Sequence, residues 1–142
     1  MIGGLVAVGT LVVATAVGFL LRRRDGRVRA AADRPDRVNL LPADVRAVLD
    51  PDAAVTLVQL STTFCAPCGH TRVILTDLAE NTDRLAHADI DLTDRPELAR
   101  QLSVLRTPTT LAVDATGTEI LRVGGVPKRD SLLAALGPHL SA

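Results

Sequence analysis

Residues Ile2 to Leu21 form a run of 20 residues without a charge, IGGLVAVGTLVVATAVGFLL. As a helix, a run of that length matches the ~30 Å hydrocarbon core of a bilayer. It stops abruptly at Arg22, Arg23 and Arg24. This segment removes itself from any compact core, and roughly 105 to 120 residues remain, enough for one small domain. A secretory signal carries positive charge ahead of its apolar region, and here there is none. Three arginines close behind Ala14-Thr15-Ala16 also disfavour cleavage there. Residues 1–21 are therefore expected to be an uncleaved transmembrane anchor. Positive residues flanking a span stay in the cytoplasm, so the domain is expected on the cytoplasmic face of the cell membrane. The inverted topology would make it extracytoplasmic.

The formal net charge of zero hides two opposite halves. Residues 22–37 carry seven arginines against three aspartates, while 38–142 carry nine basic and 13 acidic side chains. The basic excess sits beside the apolar run, which suits anionic lipid head groups and argues against nucleic acid. Only Phe64 is aromatic after the anchor, so no basic face with interleaved aromatics exists. Residues 22–37, RRRDGRVRAAADRPDR, read as a basic juxtamembrane linker, and 38–142 as the domain. Fifteen of the 16 basic residues are arginine, a bias that suggests a G+C-rich bacterial genome.

Within 38–142 the pattern alternates. A short strand is expected at 38–40, then a helix from Pro42 to about Leu49, since proline fits a first helical turn. Val55 to Leu60, VTLVQL, is the β-branched apolar run of a buried central strand. Ala66 to Glu80 has helical spacing. Leu85 to Leu92 reads as a strand and Pro96 to Leu102 as a helix. Thr109 to Asp114 and Glu119 to Val123 form a hairpin around Ala115–Gly117. Lys128 to Leu136 closes the chain as an amphipathic helix. The order predicts an α/β domain whose mixed sheet has helices on both faces.

The only two cysteines lie in STTFCAPCGH, between the central strand and the helix that follows it. A helix N-terminus carries unpaired N–H groups and partial positive charge, which favour a thiolate. Cys65 is thus the expected nucleophile and Cys68, one turn later, the resolving thiol. Cys65, Cys68 and His70 could supply part of a zinc site, with His87 or His139 completing it, but structural sites take four ligands and no second cysteine pair exists to supply them. Covalent haem attachment needs C-x-x-C-H, and Gly69 intervenes before His70. No metal is expected.

From about residue 38 onward the chain resembles the thioredoxin superfamily. FCAPC is similar to the aromatic-Cys-x-Pro-Cys active site, with Phe64, Ala66 and Pro67 supporting the pair. RTPTT, Arg106 to Thr110, resembles the loop whose cis proline faces that pair. This implies a cis bond at Pro108 and backbone hydrogen bonds to substrate from Thr107. RVGG resembles the glycine-ended strand that walls the substrate groove, at Gly124. The chain departs from the family at four points. Phe64 replaces the usual tryptophan, Val73 replaces a helix proline, and Gln59 stands where many members bury an acid beneath the second cysteine. The lysine that often accompanies that acid falls at His87. Either His87, which can titrate near neutral pH, or a bound water is expected to take the proton of Cys68.

The resemblance implies a membrane-anchored thiol–disulfide oxidoreductase that needs no cofactor beyond the Cys65–Cys68 disulfide. It is expected to reduce disulfide-containing proteins or small molecules and to be re-reduced by a partner reductase. Ala66-Pro67 is close to the Gly-Pro of reducing members, which places the potential nearer roughly −270 mV than roughly −120 mV. The alternatives are a non-catalytic tethered binding module or, outside the membrane, a handler of disulfides or cytochrome-maturation thiols.

Overall fold

A computed structural model describes residues 2–30 and 41–141. The strand expected at 38–40 lies outside the described residues. The first helix, α1 (Ile2–Arg24), is long and apolar enough to cross a membrane. Its side chains from residue 3 onward are exposed, so it takes no part in the domain core.

The domain is a five-stranded sheet in the order β1-β5-β4-β2-β3. The strands are β1 (Val28–Ala30), β2 (Val55–Ser61), β3 (Leu85–Asp91), β4 (Thr109–Asp114) and β5 (Glu119–Gly124). β2 and β3 are parallel, and all other pairs are antiparallel. Such a mixed sheet must be covered on both faces, and α2 (Ala43–Arg46), α3 (Ala66–Glu80), α4 (Pro96–Gln101) and α5 (Arg129–Leu140) cover it.

Strand alternation divides the core in two. Val55 and Leu57 of β2 pack with Leu75, Leu78, Leu132 and Leu136 beneath α3 and α5. Val58 and Leu60 turn the other way, towards Val45, Ile90, Leu98 and Leu102 beneath α2 and α4. Every residue of β2 is buried, as its near-continuous apolar run requires. Gln59 shares the parity of Val55 and Leu57, so its amide enters the α3 side.

Three local features differ from the sequence reading. Val28–Ala30, inside the segment read as a linker, is an edge strand with Val28 opposite Val123 and Ala30 opposite Leu121. Three residues alternating with arginine carry no periodicity, and only the pairing with β5 defines them. The helix read to Leu49 keeps α-helical form only over Ala43–Arg46. Beyond it the chain tightens into i→i+3 bonds, Val48 N–H to the Val45 carbonyl and Leu49 N–H to the Arg46 carbonyl. Finally, α5 continues past Leu136 through Pro138 to Leu140, whose side chain packs on the first core. A proline this close to a helix end removes a single internal bond.

Candidate active site

The end of β2 delivers the chain into α3 at the cysteine pair. Cys65 is the N-cap of α3 in extended conformation, and Pro67 occupies the first helical turn, where a missing N–H costs nothing. Cys65 and Cys68 form a disulfide with a Cα–Cα distance of 5.4 Å. Cys65 is half-buried, whereas Cys68 is 3% exposed. An attacking thiolate needs access and a resolving one does not, so the burial difference fits their expected roles.

A second loop lies beside the segment that leads into the pair. The Thr107–Pro108 peptide bond is cis, and Pro108 is buried. The Thr62 and Thr107 hydroxyls lie 3.2 Å apart, tying the approach to Cys65 onto the proline loop. The Gly125 N–H donates to the Pro108 carbonyl at 2.8 Å, and the Arg106 guanidinium donates to the Gly124 carbonyl at 3.0 Å. Thr62, three residues before Cys65, is thus tied to Thr107, and the loop at Pro108 is tied in turn to Gly124 and Gly125. Phe64 is 96% exposed, and Ala66 and Pro67 are exposed beside it.

Gln59 lies directly beneath the second cysteine. It is fully buried, and its Nε2 donates to the Cys68 carbonyl at 2.9 Å. Its Oε1 is buried without a hydrogen-bond partner among the described residues. The amide anchors the first turn of α3 and cannot exchange a proton with Cys68.

His87 sits elsewhere. Its Nδ1 is 3.1 Å from the Thr76 hydroxyl, and Thr76 lies eight residues beyond Cys68, about 12 Å further along the helix. The carboxylates at the cysteines are Asp89 and Asp91. They line an open cleft of about 590 Å³ together with Ser61, Cys65, Cys68 and Arg72. Asp89 accepts a hydrogen bond from Ser61 Oγ at 2.5 Å and one from Arg72 Nε at 2.8 Å. These residues escaped the sequence reading because they depend on register. Parallel pairing sets Asp89 opposite Gln59 and His87 opposite Leu57. The one local signal was alternation in HADID, which puts residues 87, 89 and 91 on a single face.

Burial holds the His87 imidazole below its ordinary value of 6.5; the Asp89 carboxylate opposes this and Arg72 adds to it. An unfolded chain takes up that proton near pH 6.5, while the folded protein resists until lower pH. The His87 contribution to stability is therefore intact above pH 6.5 and is lost as pH falls below it. Denaturant midpoints between pH 7.5 and 5 should drop more steeply for the wild type than for His87→Gln. Parallel curves would show that the imidazole takes no part.

A family model described as Thioredoxin matches residues 40–137. The chain belongs to the thioredoxin family. Among solved structures, a point mutant of thioredoxin from Halobacterium salinarum is 28% identical, with a TM-score of 0.56 over 63% of this chain and 78% of that one. Chloroplastic thioredoxin z is 25% identical, with a TM-score of 0.56 over 64% of this chain and 81% of that one. Fasciola hepatica thioredoxin, at 22% identity, shares the fold with a TM-score of 0.57 over 68% of this chain and 92% of that one. No curated protein sequence matches the chain. The thioredoxin fold and the Cys-x-x-Cys disulfide together support thiol–disulfide oxidoreductase chemistry in general.

Proposed function

We propose that this thioredoxin-family chain is a membrane-tethered reductant of disulfides. The observation that carries the reading is the pairing of a half-buried N-cap cysteine with a buried partner, on a segment whose Thr62 hydroxyl meets that of Thr107 beside the cis proline. In the reduced protein the Cys65 thiolate attacks one sulfur of a substrate disulfide. A mixed disulfide forms and the other substrate sulfur leaves as a thiolate. The Cys68 thiolate then attacks Cys65 Sγ, closing the intramolecular disulfide and releasing the second substrate thiol. Two electrons pass to the substrate, and a dithiol reductase restores the pair. Because Gln59 carries no exchangeable charge, the proton of Cys68 is assigned to water in the cleft beside Asp89. α1 supplies the anchor, and the arginines at its end favour a cytoplasmic domain.

The reduction potential tests the direction. Full-length protein in detergent, equilibrated in thiol buffers and scored by mass for alkylated cysteines, should give a midpoint near or below roughly −270 mV. A midpoint above about −180 mV, in the range of isomerases and oxidants, would replace this reading with a handler of disulfides outside the cell membrane.

A further inference from the structure

The membrane helix is fastened to the domain at the end that carries the disulfide. Only residues 25–27 separate α1 from β1, so Arg24 and Val28 lie at most about 14 Å apart. That short exit is pinned. The Gly26 N–H donates to the Gly124 carbonyl at 3.0 Å, and Arg106 donates to the Asp25 carboxylate at 2.5 Å. Gly26 has φ +71°, and a Cβ there would lie 2.2 Å from the Val126 carbonyl oxygen, so the close approach requires glycine. β1 runs antiparallel to β5 and leads away from Gly124. The helix exit, Gly124, the proline loop and the cysteines therefore share one edge of the domain. Three strand spacings separate β1 from β2, about 14 Å at ~4.8 Å each.

The surface at this end suits a lipid interface. A cavity of about 270 Å³ beside the exit is lined by Arg24, Arg27, Arg29, Arg106 and Arg122, with Leu105 at its wall. Glu119 pairs with Arg122 and Asp25 with Arg106; among the described residues no carboxylate pairs with Arg24, Arg27 or Arg29. Leu105 and Phe64 are each 96% exposed, on the two loops that flank the disulfide. Exposed apolar side chains ringed by arginine are what the head-group layer of an anionic leaflet accommodates.

We propose that the domain seats this end on an anionic lipid surface, and that its substrates are disulfides held at that surface, in the juxtamembrane segments of other membrane proteins. The substrate class rests on the redox reading above; the seating rests on α1 being an anchor and on the geometry of its exit. Arg24 and Arg27 meet lipid phosphates, Leu105 enters the head-group boundary, and the short exit keeps Cys65 within reach of the interface.

The test uses the full chain in nanodiscs of phosphatidylglycerol and phosphatidylcholine. Transmembrane peptides carry a disulfide either at the bilayer surface or about 30 Å above it, on a helical spacer of about 20 residues. The surface disulfide should be reduced at least about tenfold faster, an effective-concentration advantage. A flexible Gly/Ser insertion of about 30 residues between Arg24 and Asp25, with ends roughly 30 Å apart, should erase that preference. It leaves the Asp25 and Gly26 contacts in place, so turnover of a small soluble disulfide should not change. Equal rates on the two peptides, or a preference that survives the insertion, would overturn the substrate class. A separate readout needs no redox activity. The chain has no tryptophan, so Leu105→Trp reports alone and should be quenched by lipids brominated near the head group, while Ala115→Trp at the opposite end should not. Absence of quenching at 105, or equal quenching at both positions, would overturn the seating even if every disulfide is reduced. Quenching confined to 105 without turnover of any disulfide would uphold the seating and defeat the redox reading, and the substrate class with it.

Discussion

Cys68→Ser is expected to accumulate covalent complexes with disulfide substrates, while Cys65→Ser loses turnover to background and traps nothing. The asymmetry follows from placement. Cys65 caps α3 and is half-buried, so it is the sulfur a substrate can reach. Cys68 is buried one turn later, with its carbonyl held by Gln59. Without Cys68 the first exchange still occurs, but the mixed disulfide has no neighbouring thiolate to resolve it. Non-reducing electrophoresis after mixing with a disulfide-bonded protein distinguishes the two variants. Complexes trapped through Cys68 in Cys65→Ser would reverse the assigned roles. If neither variant forms a complex and the wild type has no turnover, the chain is a non-catalytic tethered module.

The largest stability effect is expected at Glu119. Arg122 is buried on β5, with Nε and an Nη bonded to the two Glu119 oxygens at 2.6 and 2.7 Å. Its other Nη donates to the Leu102 carbonyl at 2.6 Å. Both side chains are largely shielded, 7% and 16% exposed, so solvent does little to compensate if one is removed. Glu119→Ala leaves a buried guanidinium without its counter-charge and should cost about 3 kcal/mol, the lower part of the range for breaking such a pair. Replacing both partners, Glu119→Leu with Arg122→Met, should recover most of that loss, because desolvating the pair offsets much of its attraction. Urea midpoints at unchanged slope measure both. A single variant within about 0.5 kcal/mol of wild type, the usual effect of a surface substitution, would mean that water reaches Arg122 freely.

Much of this architecture was legible because its signals are local. The charge-free run, the β-branched β2, the cysteines at a helix start and the β4–β5 hairpin each occupy a few contiguous residues. Their types alone select span, strand, helix entry and turn. RTPTT and RVGG were legible through resemblance, as motifs in the right order. By contrast, Val28–Ala30 looked like linker because an edge strand is defined by its neighbour. Asp89 was passed over for His87 because the alternation in HADID names a face without saying which residue of that face stands level with Cys68.

By itself, then, the sequence determined which segments can be helix, strand or membrane span, where the reactive sulfurs lie, and that a proline follows Thr107. Short-range sterics, hydrophobic period and helix-end electrostatics decide these within a few residues. Only the tertiary structure decided what meets across the sheet. The β2–β3 register brought Asp89 to the cleft at the cysteines and to Arg72, and left His87 beside Thr76. The β1–β5 pairing, with Gly26 against Gly124, fastened the N-terminal helix to the end of the domain that carries the cysteines. Those contacts join residues as much as 98 positions apart, as in Gly26 and Gly124, and such pairings are selected by the packing of the whole core and not by any local pattern.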